Sequence, residues 1–181
     1  MGRLPDGVVH AGLVLRRWTP DDAELLHAVV TANLEHLRPR MSWVAFEPRS
    51  LEEHHSLLCE WDERWRSGGD SYLAVLDADR PAGPALGSCG LHRRIGPAGL
   101  EIGYWVDHDH LRRGIGTRTA AALTDLAFTV PGIERVEIHH DVENLASRGV
   151  PERLGYERLE ERTATRDLAP ADTGTDLVWQ V

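Results

Sequence analysis

One stretch, LEIGYWVDHDHLRRGIGTRTAAALTDLAF from Leu100 to Phe128, narrows the folds open to this chain more than any other. Its first part alternates, with Leu100, Ile102, Tyr104 and Val106 on one face of a strand and Glu101, Gly103 and Trp105 on the other. The first face is core, and the second holds a carboxylate and an aromatic flanking a glycine, which lets backbone or ligand come close. The last part changes to helical spacing, placing Ile115, Thr119, Ala122, Leu123 and Leu126 on one side. Between them, Arg112-Arg113-Gly114-Ile115-Gly116-Thr117 opens the helix with free backbone N–H groups, the positive end of the dipole and two guanidinium groups, a combination suited to an anion. With glycine at 114 and 116, no side chain keeps a diphosphate away from those amides. A strand over Glu134 to His140 follows, so strand, helix and strand make a crossover unit.

A dinucleotide-binding turn is disfavoured. Asp107 to Arg113 separate the strand from Gly114, whereas the Rossmann turn follows its strand at once, and Thr119 stands where that fingerprint wants Gly or Ala. A nicotinamide oxidoreductase is correspondingly set aside.

The rest of the chain supplies the partners of this unit. Leu13 to Trp18 reads as a strand, and Thr19-Pro20-Asp21-Asp22 starts a helix whose Leu26, Val29, Val30, Leu34 and Leu37 form one buried stripe. Ser50 and Glu53 make a capping box for a second helix, ended by Gly68-Gly69, with Trp61 and Trp65 read as core. Three strand-like segments, SYLAVLDA, ALGSCGLHRRI and GLEIGYWVD, are joined by turns and suggest an antiparallel meander. A short helix after Asn144 and two strands, about Tyr156 to Thr165 and Thr175 to Val181, complete the pattern.

Composition then removes whole function classes. All 20 basic residues are Arg, which excludes Schiff-base lysine chemistry and a P-loop. A net charge of −9 argues against nucleic acid and suits a cationic partner such as an amine. Cys59 and Cys89 lie far apart, supporting neither a disulfide framework nor a zinc site. The His and Asp at 107 to 110 and 139 to 141 lack the fixed spacing of a zinc site, so no metal is expected. No apolar run reaches the length of a membrane span, and the first residues carry neither an h-region nor, at Asp6, a myristoylation Ser or Thr, so a cytoplasmic protein is expected. At 181 residues, one domain spanning 1 to 181 is the default.

The motifs NLEHLRPRMSW, LGSCGLHRR, EIGYWVD, LRRGIGT and NLASRGVPERLGY occur in that order. Together they resemble the Gcn5-related (GNAT) N-acetyltransferases, of the ribosomal-protein N-acetyltransferase (RimJ/RimL-like) type, from Leu13 to Val181. The resemblance implies an α/β (α+β) GNAT fold: a mixed, mostly antiparallel sheet of six to seven strands with about four helices, splayed parallel strands forming the acyl-CoA cleft. It implies acetyl-CoA as co-substrate, with backbone of Trp105 and Val106 on the pantetheine arm. The amides of Arg112, Arg113, Gly114, Ile115, Gly116 and Thr117 would hold the pyrophosphate, and Asn144 would bond the arm from the opposite side. Glu101 is implied as catalytic base, directly or through water, and Ser147 as partner of the departing thiolate. The segment from Leu37 and Arg38 to Trp43 is implied on the acceptor side, making Arg38 and Trp43 substrate-binding candidates.

The residues alone leave alternatives open. Glu101 reads equally as a sheet-surface carboxylate and Ser147 as a helix-start serine. Leu111 replaces the Gln or Arg of many relatives, and Pro151 lacks the N–H that would reach the Ser147 carbonyl, so a kinked helix and a displaced Ser147 are expected. The reaction expected is acetyl transfer to a primary amine, first of all a protein N-terminal α-amine. A small cationic amine such as an antibiotic or polyamine is the alternative acceptor, and a non-catalytic acyl-CoA-binding module the alternative class. The closing strand, with Leu177-Val178-Trp179, offers an edge through which a homodimer could form.

Overall fold

In the computed structural model, which describes residues 2 to 181, eight strands form one sheet. They are β1 (Gly7–His10), β2 (Leu13–Arg17), β3 (Ser71–Asp77), β4 (Gly87–His92), β5 (Gly99–Val106), β6 (Arg135–Asp141), β7 (Glu157–Thr163) and β8 (Thr175–Gln180). Their spatial order is β1-β2-β3-β4-β5-β6-β8-β7, antiparallel everywhere except between β5 and β6. Four α-helices accompany them: α1 (Ala23–Leu37), α2 (Leu51–Arg66), α3 (Ile115–Phe128) and α4 (Leu145–Leu154). The strand beyond the expected six to seven is β1. Its four residues GVVH are too short to stand out from sequence, and it exists as a hairpin partner of β2, turned at Ala11 and Gly12 with φ of 47° and 79°.

Helix starts follow the local chemistry. At α2 the Ser50 hydroxyl accepts from the Glu53 N–H at 3.2 Å, and the Ser50 N–H donates to Glu53 Oε2 at 2.7 Å. Thr19 donates through both its N–H and its hydroxyl to Asp22 Oδ2, but over a 3-10 turn, Pro20–Asp22, that precedes α1.

Strand alternation divides the core in two. Leu73, Val75, Leu91, Leu100 and Ile102 pack under α3, whose Ile115, Ala122, Leu123 and Leu126 are buried. Ala74, Leu76 and Trp18 face the opposite layer with Leu26, Val29 and Val30 of α1 and Leu58 of α2. The α2 tryptophans are only partly core. Trp61 stacks on Tyr72 with ring centroids 4.3 Å apart, and Trp65 donates to the Leu4 carbonyl at 2.7 Å under the Arg17 guanidinium.

One further sequence expectation needs correction. The closing strand β8 is not an edge, because β6 and β7 flank it; the edge belongs to β7, whose Glu157, Arg158, Glu160, Glu161 and Arg162 discourage pairing with another chain. That removes the argument offered for a homodimer. Pro151 lies inside α4, which runs through it from Leu145 to Leu154. The helix loses a single internal bond while Val150 and Pro151 are buried and the Asn144 side chain caps its start. Among the described residues, no helix is long and apolar enough to cross a membrane.

Buried polar anchors make the fold pH-sensitive in a defined direction. Burial pushes Asp141 up, but the N–H groups of Glu143 and Thr173 and the Thr173 hydroxyl outweigh it and hold the carboxyl below its usual range. Burial pushes His140 down; its Nε2 accepts from Trp179 Nε1 at 2.9 Å, so the neutral ring is the one that fits. Both folded values lie below the unfolded ones, so both contributions are complete at higher pH and are lost on acidification. The melting temperature should therefore begin to fall below about pH 6.5, as unfolded imidazole takes up protons, and fall again below about pH 4. A melting temperature that stays flat from pH 7 to pH 5 would contradict the histidine part.

Candidate active site

The parallel ladder between β5 and β6 is short. It pairs Gly99 with Arg135, Leu100 with Val136 and Glu101 with Glu137, and then stops. Beyond that point β5 continues to Val106 beside β4, and β6 continues to Asp141 beside β8, so the two strands part. A cavity of about 510 Å³ opens in the sheet there.

The cavity gathers residues far apart in sequence. Glu101, Trp105, Asn144, Ser147 and Trp43 all line it. Arg38 does not; it is exposed at the end of α1, and Arg40 lines the cavity instead. Arg40 donates to the carbonyls of Ala171 and Glu143 at 2.9 and 3.1 Å and lies 3.5 Å from Asp141. Which of two arginines two residues apart turns inward depends on those distant partners, and no local signal in LRPRM could decide it.

Glu101 is 5% exposed and bound from two sides. Arg94 donates to both of its oxygens, through Nε at 2.7 Å and through the terminal nitrogen, and His139 Nδ1 lies 3.3 Å from Oε2. Burial alone would raise its pKa, yet the Arg94 hydrogen bonds, with His139 and the Arg94 charge behind them, hold it below the ordinary carboxylate range. A carboxylate so held is a fixed negative charge at the cavity wall and a reluctant proton acceptor. Nothing in the sequence ties Arg94 or His139 to Glu101, because only the register that sets β4 and β6 beside β5 brings them together.

Asn144 and Ser147 form the start of α4. The Asn144 side-chain oxygen accepts from the Ser147 N–H at 3.2 Å, which leaves the Asn144 amide hydrogens free to donate into the cavity. The Ser147 hydroxyl thus sits on a capped first turn.

Val106 and the segment 112 to 117 lie next along the chain, where β5 hands over to α3. Arg112 has φ 59° and Gly114, the N-cap, φ 72°, a left-handed conformation glycine adopts without penalty. No side chain caps α3. Its first bond runs from the Arg118 N–H to the Gly114 carbonyl at 3.0 Å, and the N–H groups of Ile115, Gly116 and Thr117 have no acceptor among the described residues. The approach is braced by Asn33 of α1, which donates to Asp107 at 2.6 Å and accepts from the His108 N–H at 2.7 Å. Bare donors beside two exposed guanidinium groups, at the end of a strand with an unpaired edge, fit a diphosphate joined to an extended amide-bearing arm.

These features together match a known family: a model of the acetyltransferase (GNAT) domain covers residues 12–157. The chain belongs to that family. YdaF of Bacillus subtilis (strain 168), provisionally named a ribosomal N-acetyltransferase, is 28% identical over 176 residues, which span 94% of this chain and 91% of YdaF. Among solved structures, RimL, the ribosomal L7/L12 alpha-N-protein acetyltransferase in complex with coenzyme A, aligns with a TM-score of 0.83 at 21% identity over 96% of each chain. The microcin C7 self-immunity acetyltransferase MccE, in complex with acetyl-CoA and AMP, aligns at 0.84 and 17% identity over 99% of this chain and 98% of its own. Mycobacterium smegmatis RimJ, in complex with a CoA-disulfide, aligns at 0.75 and 22% identity, covering 99% and 84%. The eight-stranded sheet is a GNAT fold, and the protein is an acetyl-CoA-dependent N-acetyltransferase.

For this GNAT enzyme the start of α3 can be tested cleanly. A Cβ on Gly116 would meet Tyr104 and Val106 at 3.6 to 3.8 Å, ordinary contact distances. Gly116→Ala should therefore bind coenzyme A nearly as the parent does. Gly116→Asp adds a negative charge to the first turn that carries the free N–H groups and should weaken binding by roughly tenfold or more. Calorimetric titration of both variants with coenzyme A measures the difference; equal affinities would place the diphosphate elsewhere.

Proposed function

We propose that this GNAT enzyme transfers the acetyl group of acetyl-CoA to the α-amino group of a protein N-terminus. The observation that carries the proposal is the cavity between β5 and β6, whose acceptor side combines the Trp43 and Trp61 rings with the fixed carboxylate of Glu101. Such a wall draws in an ammonium and packs the first side chain behind it. The names of YdaF and RimL, which place related chemistry on ribosomal proteins or alpha-N-protein termini, support the same acceptor. An α-amino group also suits a site with modest proton-accepting power, since with a pKa near 8 about a tenth of it is already neutral at pH 7.

Within this reading Trp105 and Val106 offer backbone to the pantetheine arm, Asn144 bonds it from the α4 side, and the N–H groups from Arg112 to Thr117 hold the pyrophosphate. Glu101 supplies the charge that orders the incoming ammonium, and the Ser147 hydroxyl faces the departing sulfur. Trp43, with Arg40 in the place first expected for Arg38, shapes the acceptor entrance. We take residues 1 to 181 as one catalytic domain acting in the cytoplasm, with the donor and the acceptor polypeptide as its partners and no role for nucleic acid or membrane.

The deciding experiment measures acetyl-CoA turnover against peptides of defined N-terminus, with polyamines and aminoglycosides in parallel. Mass spectrometry then locates the acetyl group. Acetylated peptide α-amines are the expected result; acetylation of the small amines alone would move the acceptor to that class.

A further inference from the structure

Gly90 of β4 and Gly103 of β5 face each other across the ladder, and a Cβ on either would stand 3.1 Å from Nε2 of His92. The two glycines leave a bare patch of sheet, and the imidazole tip of His92 lies over it. His92 pairs across the ladder with Glu101, while Tyr72 pairs with Gly90 from β3 and meets the His92 ring edge-on at 5.4 Å. Tyr72, Gly90, His92, Glu101 and Gly103 all line the cavity.

The other end of the ring is fixed. His92 Nδ1 lies 3.0 Å from Asp70 Oδ2, and Asp70 Oδ1 accepts the Arg93 N–H at 2.8 Å. An ionised carboxylate only accepts, so Nδ1 carries the hydrogen, and in the neutral ring Nε2 then presents a lone pair. Among the described residues Nε2 has no hydrogen-bond partner. Glu101, by contrast, has both oxygens on Arg94.

We propose that His92 is the catalytic residue that removes the proton from the acceptor amine, with Asp70 positioning its ring. The assignment rests on amine acetylation, though not on which amine. The ammonium gives one proton to Nε2, forming an imidazolium beside the Asp70 carboxylate. The nitrogen lone pair forms a bond to the thioester carbon, and the tetrahedral adduct expels sulfur as the C–S bond breaks. The second N–H proton ends on that sulfur, giving amide and free thiol, and the imidazolium returns its proton to water.

Charged and titratable groups face this imidazole from every side: Asp70 before β3, Tyr72 on β3, Arg94 beyond β4, Glu101 on β5, and His139 of β6 next to Glu101. The pH readout must therefore be tied to His92 by substitution. His92→Gln keeps a polar side chain of similar reach that cannot take a proton near neutral pH. With whichever amine of the panel turns over, kcat should fall roughly 100-fold while the KM for acetyl-CoA stays nearly constant, and the acid limb of the rate profile should move to the ionisation of the amine itself. Asp70→Asn should keep the acid limb but displace it, with a smaller loss of kcat, which a purely structural carboxylate would not do. Histidine NMR of the enzyme without either substrate should find neutral His92 protonated on Nδ1, and should find that preference lost in Asp70→Asn. Unchanged kcat and acid limb in His92→Gln, or a resting ring protonated on Nε2, would overturn the assignment. Peptides that fail where a polyamine succeeds would refute the acceptor alone, and His92 would then be judged on the polyamine.

Discussion

Replacing Glu101 with Gln is expected to lower kcat/KM by about two orders of magnitude while coenzyme A still binds. The side chain is almost fully buried, and both its oxygens accept from Arg94, so the amide of Gln would turn an NH2 towards a guanidinium and leave that cation half-paired. The wall that receives an ammonium would carry one positive charge more than before. Coenzyme A should be nearly indifferent, because the free N–H groups of Ile115, Gly116 and Thr117 lie outside the cavity that Glu101 lines. Steady-state kinetics beside calorimetry separates the two effects. An unchanged kcat/KM would reduce Glu101 to a carboxylate that merely ties β4 to β5.

The largest loss of stability is expected at Trp18. It is completely buried between α1, α2 and β3, and its Nε1 donates to the Ser88 hydroxyl at 3.0 Å. Trp18→Ala removes the bulk and leaves the Ser88 hydroxyl only its bond to the Leu73 carbonyl, at a cost of roughly 3 to 5 kcal/mol. For a chain of this length that is a fall of about 6 to 20 °C in the melting temperature. Trp18→Phe keeps most of the volume and should lose only about 1 to 2 kcal/mol. Differential scanning calorimetry resolves the pair, and equal losses would mean that the hydrogen bond matters more than the packing. Ser88 lines the cavity, so Trp18 also couples the helix layer to the active-site floor.

Most of the architecture could be read from sequence because its signals are local. The Ser50 and Glu53 cap, the alternation of Leu100 to Val106 and the helical stripe of α3 each depend on residues within a few positions of one another, and each formed as expected. What escaped depends on distant neighbours. The four residues of β1 become a strand only against β2. Pro151 obeys the rule that proline removes a helix bond, yet the burial of Val150 and Pro151 accompanies a helix that continues through it. At the site, roles for Glu101, Asn144 and Ser147 came with the family resemblance, whereas Arg40, Arg94, His92 and Asp70 acquire their places from register and loop packing. A histidine over two glycines is invisible until the ladder sets Gly90 opposite Gly103.

The early end of the β5–β6 ladder also bears on selectivity. With the donor arm in that gap, as proposed, the guest would take the seat of an absent strand and be recognised by its amide spacing, not by whatever hangs from its terminal sulfur. Choice among short and long acyl groups would then fall to the tip of the guest, where a floor two glycines wide leaves anything bulkier than the native cargo pressing against an imidazole.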